Sequence, residues 1–175
     1  MRQLGNGSEP TNMLIGIMSD SHGDAAATAR AIKTLTDRGA EYFIHCGDIC
    51  GDNVLAELAG RPCTFVWGNC DDPTPLVKKY VQSLGLPWPQ QPVRIELAGK
   101  TIAVYHGHER GFAVATEIDH DFDYLFHGHT HKRADRRVGE CRIINPGALY
   151  RANPRTCALL NLVTDKLDFL KLDEA

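Results

Sequence analysis

Aspartate, asparagine and histidine gather in five short clusters along this chain, and these are residue types whose oxygens and imidazoles bind divalent cations. The clusters read Asp20-Ser21-His22, Gly47-Asp48, Gly68-Asn69-Cys70-Asp71, His106-Gly107-His108 and Gly128-His129-Thr130-His131. Six of the eight histidines, at positions 22, 106, 108, 127, 129 and 131, fall in or beside them. Taken singly, each cluster has a plain structural reading. Asp20 or Ser21 could cap a helix, Gly47-Asp48 could be a strand-end turn, and Gly68-Asn69 could be left-handed turn chemistry. His106 could be a hydrogen-bonded strand-end histidine. The two imidazoles of Gly128-His-Thr-His131 are the strongest single signal of a ligand pair. Five clusters of one chemical type in one chain point to one metal site.

Such a site needs a scaffold that brings distant segments together, and each cluster follows a short apolar run. Residues 13–18, 42–46, 63–67, 101–105, 124–126 and 142–144 read as buried strands. Between them lie helix patterns. Residues 24–38 repeat Ala27, Ala31, Ile32 and Leu35 on one face and stop at Gly39; 52–59 is a shorter candidate. Thr74 caps a helix with Pro75 at its first position and Gly85 beyond its end, and 113–119 is a further candidate. Residues 87–92 (Pro-Trp-Pro-Gln-Gln-Pro) form a loop expected to lie over the site, and 158–163 with 167–172 form a closing hairpin about Asp165-Lys166. Strands alternating with helices imply an α/β sandwich, parallel at first and mixed later. In such sheets ligands bind beyond the carboxyl ends of the strands, where the clusters fall.

The composition fits that frame. With 175 residues, 43% apolar and 23% charged, the chain is expected to fold as one domain over 13–175, with polar residues 1–12 as an extension outside the fold. The net charge of −3, without long runs of one sign, argues against a broad nucleic-acid-binding or anionic-membrane surface. No apolar stretch approaches the ~20 residues that span a bilayer, and the start lacks the apolar segment of a secretory signal. The six cysteines sit mostly in apolar runs of a chain too large to need disulfide staples. They are expected as free thiols in a reducing, cytoplasmic compartment.

The ordered set Asp-x-His, Gly-Asp, Gly-Asn-x-Asp, His-Gly-His and Gly-His-Thr-His resembles the calcineurin-like metallophosphoesterase superfamily. The short length and the Gly68-Asn-Cys-Asp71 variant are similar to its small single-domain YfcE-type phosphodiesterase branch. The resemblance spans residues 13–163. It implies a metallophosphoesterase-type β-sandwich of two mixed sheets flanked by helices, four layers in the order α/β/β/α. It further implies two divalent ions: one held by Asp20, His22, Asp48 and His131, the other by Asp48, Asn69, His106 and His129, with Asp48 bridging. Oxygen and imidazole donors suit manganese, the first expectation, as well as iron, nickel or zinc. The implied chemistry is in-line attack of a metal-bridging hydroxide on the phosphorus of a small phosphate ester, more readily a diester, with no covalent enzyme intermediate. Two alternatives share the fold: a phosphomonoesterase, and a protein-interaction scaffold like the retromer subunit, whose metal site is degraded. Oligomeric state stays open, with a homo-oligomer among the expectations.

Where many relatives carry Gly-Asn-His, this chain has Cys70, a weak acid with an unperturbed pKa near ~8.5. Asp71 then matches an orienting carboxylate without its usual imidazole partner. His108 is expected to face the phosphate or to support a ligand from behind. His127 and His45 are expected in the interior, His120 on the surface, and Asn145-Pro-Gly-Ala148 as a tight turn. Lys132 and Arg133 read as a solvated pair.

Overall fold

A computed structural model gives the conformation of residues 12–117 and 121–172. The elements run β1 (Leu14–Met18), α1 (Ala25–Asp37), β2 (Tyr42–His45), α2 (Asp52–Leu58), β3 (Cys63–Phe65), α3 (Pro75–Ser83), β4 (Val93–Leu97), β5 (Lys100–Val104), α4 (Phe112–Glu117), β6 (Tyr124–Phe126), β7 (Ala134–Val138), β8 (Cys141–Asn145), β9 (Thr156–Asn161) and β10 (Leu167–Lys171). They form two five-stranded sheets, ordered β10-β9-β1-β2-β3 and β4-β5-β6-β8-β7. The β1–β2–β3 and β5–β6–β8 pairings are parallel. The β9–β10 hairpin and the outer strands β4 and β7 pair antiparallel.

Strand alternation explains the layering, since successive side chains point to opposite faces. Ile15, Ile17, Ile44, Ile102, Val104 and Phe126 meet in a buried core between the sheets. The opposite face of the first sheet carries Met18 and Phe43 and packs on Ala27, Ala31 and Leu35 of α1 and Leu55 of α2. The outer face of the second sheet, Ala103, Leu125 and Ile143, packs on Phe112 and Ala115 of α4. The result is the expected four-layer α/β/β/α arrangement. Gly16 fits it because a Cβ there would lie 2.8 Å from Leu35 Cδ1, so glycine lets α1 seat directly on β1. Asp24 caps α1 by accepting the Ala27 N–H at 2.9 Å, and Thr74 caps α3 in the same manner.

Two strands escape the sequence pattern, β4 and β7, and both are sheet edges. Their apolar residues are diluted by charge (Arg94, Glu96, Asp135, Arg136, Arg137), the usual means of blunting an open edge. The end of the expected 113–119 helix, His120 and residues 1–11 lie outside the described residues. The 87–92 segment packs on Trp67, two residues beyond the end of β3. Trp88 packs on that indole at 5.3 Å between ring centroids, and the Gln91 side chain bonds both the N–H and the carbonyl of Trp67 at 2.9 Å.

The two sheets are tied at the rim where β6 begins. Asp165, in the β9–β10 turn of the first sheet, accepts the Tyr124 hydroxyl at 2.9 Å and Arg142 Nη1 at 2.7 Å, with Arg137 beside it. Those three donors belong to the second sheet. The Asp and His clusters occupy the other rim. Among the described residues, no helix is long and apolar enough to cross a membrane.

Candidate metal centre

The loops leaving β1, β2, β3, β5 and β6 converge at this rim. Five of the seven expected ligands, Asp20, His22, Asp48, His129 and His131, hold left-handed backbone conformations, with φ of 55°, 43°, 54°, 67° and 58°. Such conformations cost non-glycine residues about 1–3 kcal/mol each and persist where the surroundings impose them. They turn the chain sharply at each strand end, so short loops aim their side chains at one point.

Asp48 sits at that point. Its Oδ2 lies 3.4 Å from His22 Nε2 and 3.4 Å from His106 Nε2. On one side His22 Nε2 is 3.3 Å from His131 Nε2, which is 3.3 Å from Asp20 Oδ1. On the other side His106 Nε2 is 3.1 Å from Asn69 Oδ1, and the His129 ring lies 5.1 Å from the His106 ring. Asp20, Asp48 and His106 are buried, whereas Asn69 and His129 are exposed, so the cluster opens to solvent on one side.

These contacts are the wrong kind for a self-sufficient hydrogen-bond network. His106 Nδ1–H donates to the Cys46 carbonyl at 2.8 Å, which leaves Nε2 as a lone pair facing two oxygens, those of Asn69 and Asp48. Ligating histidines are commonly fixed in this way by a bond from the other ring nitrogen. Lone pairs converging on one another are repulsive unless a proton or cation lies between them. The titration of the cluster follows. Burial opposes the charged form of His106, but Asp48 and the Cys46 carbonyl outweigh it and raise its pKa. Burial likewise pushes Asp48 up, yet His106, the Cys70 N–H and His22 hold its carboxyl far below the usual range. Asp20 is raised by burial. The donor set therefore fits divalent cations.

The supporting residues fix the loops. Asp71 accepts backbone N–H groups from Gly68 (2.7 Å), Cys50 (2.7 Å) and Ile49 (3.2 Å), tying the Asp48 loop to the Asn69 loop. It orients backbone, where the sequence suggested a carboxylate orienting a side chain. Glu109 accepts the His106 and Gly107 N–H groups at 2.8 and 2.7 Å. The motif reading missed it, although a carboxylate three residues after His106 could have been noticed. Asn145 donates to the Gly128 carbonyl at 2.8 Å and to Thr130 at 3.1 Å, so its turn also holds the His129–His131 loop. Glycine is required at two close approaches: a Cβ on Gly68 would lie 2.1 Å from Asp48 Oδ1, and one on Gly128 1.9 Å from Ser19 Oγ. His45 is buried against Ser21 Oγ at 2.7 Å, and burial lowers its pKa to about 3. His127 is buried against Phe112, its pKa lowered by burial to about 4.

The open side carries the other candidates. The His108 ring stands 5.3 Å from that of His106 and 6.4 Å from that of His129. The exposed Cys70 donates its N–H to Asp48 Oδ1 at 2.9 Å. Tyr150, which the motifs did not flag, packs on His22 at 5.4 Å.

Fold and site together define a cluster of Asp, Asn and His donors that could hold divalent cations at the rim of a β-sandwich, and the family follows. The sequence profile described as the calcineurin-like phosphoesterase superfamily domain matches residues 13–165, and the chain belongs to that family. Among curated relatives, phosphodiesterase MJ0936 of Methanocaldococcus jannaschii is 28% identical over 77% of this chain and 83% of its own. Phosphodiesterase YfcE of Escherichia coli is 26% identical over 93% of this chain and 94% of its own. A solved archaeal phosphodiesterase superposes with a TM-score of 0.78 at 26% identity, covering 91% of this chain and 100% of that one. Vps29 of Entamoeba histolytica, solved with zinc, shares the fold at a TM-score of 0.61 and 20% identity over 92% of this chain and 100% of its own.

Proposed function

We propose that this protein is a dinuclear metal-dependent phosphoesterase that favours small phosphodiesters. One observation carries the reading: Asp48 Oδ2 stands 3.4 Å from both His22 Nε2 and His106 Nε2, with a separate donor set behind each imidazole. Asp20, His22 and His131 would hold one ion, Asn69, His106 and His129 the other, with Asp48 between them. When bound, paired divalent ions polarise a phosphoryl oxygen and bring the pKa of a water near ~7. Manganese, iron, nickel and zinc all match these donors.

The chain's own residues do the rest. Asp71, Glu109 and Asn145 hold the three donor loops in register, which keeps the reacting groups in line. Cys46 fixes the His106 tautomer. His108 stands on the open side, where it would contact the phosphate or pass a proton to the departing oxygen. Cys70 occupies the neighbouring edge, and burial with the carboxylate of Asp48 raises its pKa, so it holds its proton. A phosphodiester carries a single negative charge, and one whose leaving group departs without a proton asks least of such a site. The relatives named phosphodiesterases support this choice. The completeness of the donor set weighs against a scaffold with a degraded centre. The six cysteines are free thiols, which supports a reducing, cytoplasmic setting.

Metal analysis and kinetics test the reading together. Protein purified without chelator should hold two ions per chain and hydrolyse bis-nitrophenyl phosphate faster than nitrophenyl phosphate. Asp48→Asn should lose both ions, whereas His106→Ala should mainly lose one. Two ions and full activity in Asp48→Asn would refute the bridge. Cys70→His should flatten the dependence of kcat/KM on leaving-group pKa, since positioned acids contribute ~10²–10⁴-fold. Equal slopes would assign the proton to another group, His108 first.

A further inference from the structure

His22 has two ring nitrogens, and the structure gives each a different neighbourhood. Nε2 faces Asp48 and His131. Nδ1 faces away from them, 3.7 Å from the Sγ of Cys50. A ligating imidazole ordinarily donates its second nitrogen to a carboxylate or carbonyl. Here it meets a thiol, and that thiol has a companion: donor atoms of His22, Cys50 and Cys70 all lie within 4.8 Å of one another. We infer that Cys50, Cys70 and His22 Nδ1 form a second cation site, for a thiophilic divalent ion such as zinc or cadmium, beside the Asp/His centre.

The spacing matches the chemistry. A tetrahedral zinc ion has Zn–S of about 2.3 Å and Zn–N of about 2.05 Å, so its donors stand about 3.6 Å (N to S) and about 3.8 Å (S to S) apart. The observed 3.7 Å between His22 Nδ1 and Cys50 Sγ is already such an edge. A disulfide would instead need the two sulfurs at about 2.05 Å. The loops bearing the thiols are held by their backbones: Cys50 N–H on Asp71 Oδ1 at 2.7 Å and Cys70 N–H on Asp48 Oδ1 at 2.9 Å. Those carboxylates make the place negative, which favours a cation. Access is open on the sulfur side, because Cys70 is exposed and Cys50 half-buried, and both border a cavity of about 270 Å³ that His22 does not line. Three protein donors leave a fourth position for water or an exogenous ligand. Two thiolates neutralise a divalent ion, their protons passing to solvent as it binds, and with both sites filled His22 would bridge them as an imidazolate, its ring proton likewise released.

The test is a titration of reduced, metal-free protein with cadmium alone, followed in the near ultraviolet, where thiolate-to-cadmium charge transfer absorbs. A band that saturates at one equivalent is expected. Cys50→Ser and Cys70→Ser should each abolish it, and His22→Ala should weaken cadmium binding at least about 10-fold, since loss of even a partner that only orients a ligand costs that much. His106→Ala should leave it intact, which separates this site from the Asp/His centre. In the unmodified protein, cadmium should shield Cys50 and Cys70 from iodoacetamide, read by peptide mass spectrometry, so the test does not depend on the variants folding. A band of full intensity in both serine variants would overturn the proposal. So would unprotected alkylation of the pair in cadmium-saturated protein, or a Cys50–Cys70 disulfide in protein purified without reductant.

Discussion

Asp71 lends itself to a quantitative test because it accepts three backbone N–H groups and touches none of the expected reacting atoms. Asp71→Ala removes all three acceptors at once. Gly68 and Ile49 are buried, so water replaces the carboxylate poorly there; Cys50 is more open. Hydrogen bonds to charged acceptors contribute about 1.5–3 kcal/mol, and the 3.2 Å bond to Ile49 belongs below that range. The two short bonds at the low end alone sum to about 3 kcal/mol, and the weak third is left out as a small addition. For a domain of this size each kcal/mol moves Tm by ~2–4 °C, so the variant should melt ~6–12 °C lower. Calorimetry on metal-free protein isolates the effect. The exposed neighbour Asp72, substituted to Ala, should stay within ~0.5 kcal/mol of the parent. Adding manganese should then widen the gap between Asp71→Ala and the parent, because the loops presenting Asp48 and Asn69 no longer hold a common register and bound metal stabilises in proportion to affinity. Equal melting temperatures for the Asp71 and Asp72 variants would refute the assignment of Asp71 as the tie between the loops.

Chelation should leave far-UV circular dichroism near native and lower Tm in proportion to the logarithm of free metal, because none of the expected donors belongs to the three apolar clusters; loss of the cooperative transition would contradict this. His45 and His127, with folded values of about 3 and 4 against ~6.5 unfolded, bind protons more readily when the chain unfolds. Their stabilisation is complete above pH ~6.5 and declines toward pH ~4, approaching ~1.4 kcal/mol per pH unit for each; denaturant melts of His45→Gln should show a slope shallower by one such increment. Gly128→Ala should drive its Cβ into Ser19 Oγ and Asp20 Oδ2, 1.9 and 2.7 Å away, at a cost of about 1–3 kcal/mol, with elemental analysis showing depleted metal.

The sequence disclosed the parts of this molecule whose physics is local. Apolar runs ending in Asp, Asn and His marked β1, β2, β3, β5, β6 and β8 and the rim on which they end. Thr74-Pro75 marked the start of α3 because caps act within one turn, whereas α1 is capped by Asp24 and not by Asp20 or Ser21. β4 and β7 stayed hidden because edge strands dilute their apolar pattern with charge. The left-handed turns at Asp20, His22, Asp48, His129 and His131 were equally illegible, since no glycine announces them and tertiary contacts impose them. Asp71 and Asn145 stood in plain view, yet their bonds to Ile49, Cys50, Gly128 and Thr130 cross 15–22 positions and required the fold. Cys50 drew no notice because its companions, His22 and Cys70, lie 28 and 20 residues away.

The Asp165 tie gives the two sheets the mechanics of a bound book. Tyr124, Arg142 and Arg137 stitch the covers to the β9–β10 turn along a spine. The opposite rim is a fore-edge, with Asp20, His22, Asp48 and Asn69 on one cover and His106, His129 and His131 on the other. An ion shared across that edge is a clasp. The spine holds whether or not the clasp is shut, so the covers should part from the fore-edge inward. Amide exchange in the metal-free chain should accordingly accelerate first around residues 19–23, 47–50 and 127–131, while the amides of Tyr124 and Arg142 keep their protection. Substrate, arriving at the same edge, would meet a gap whose width is set by the clasp.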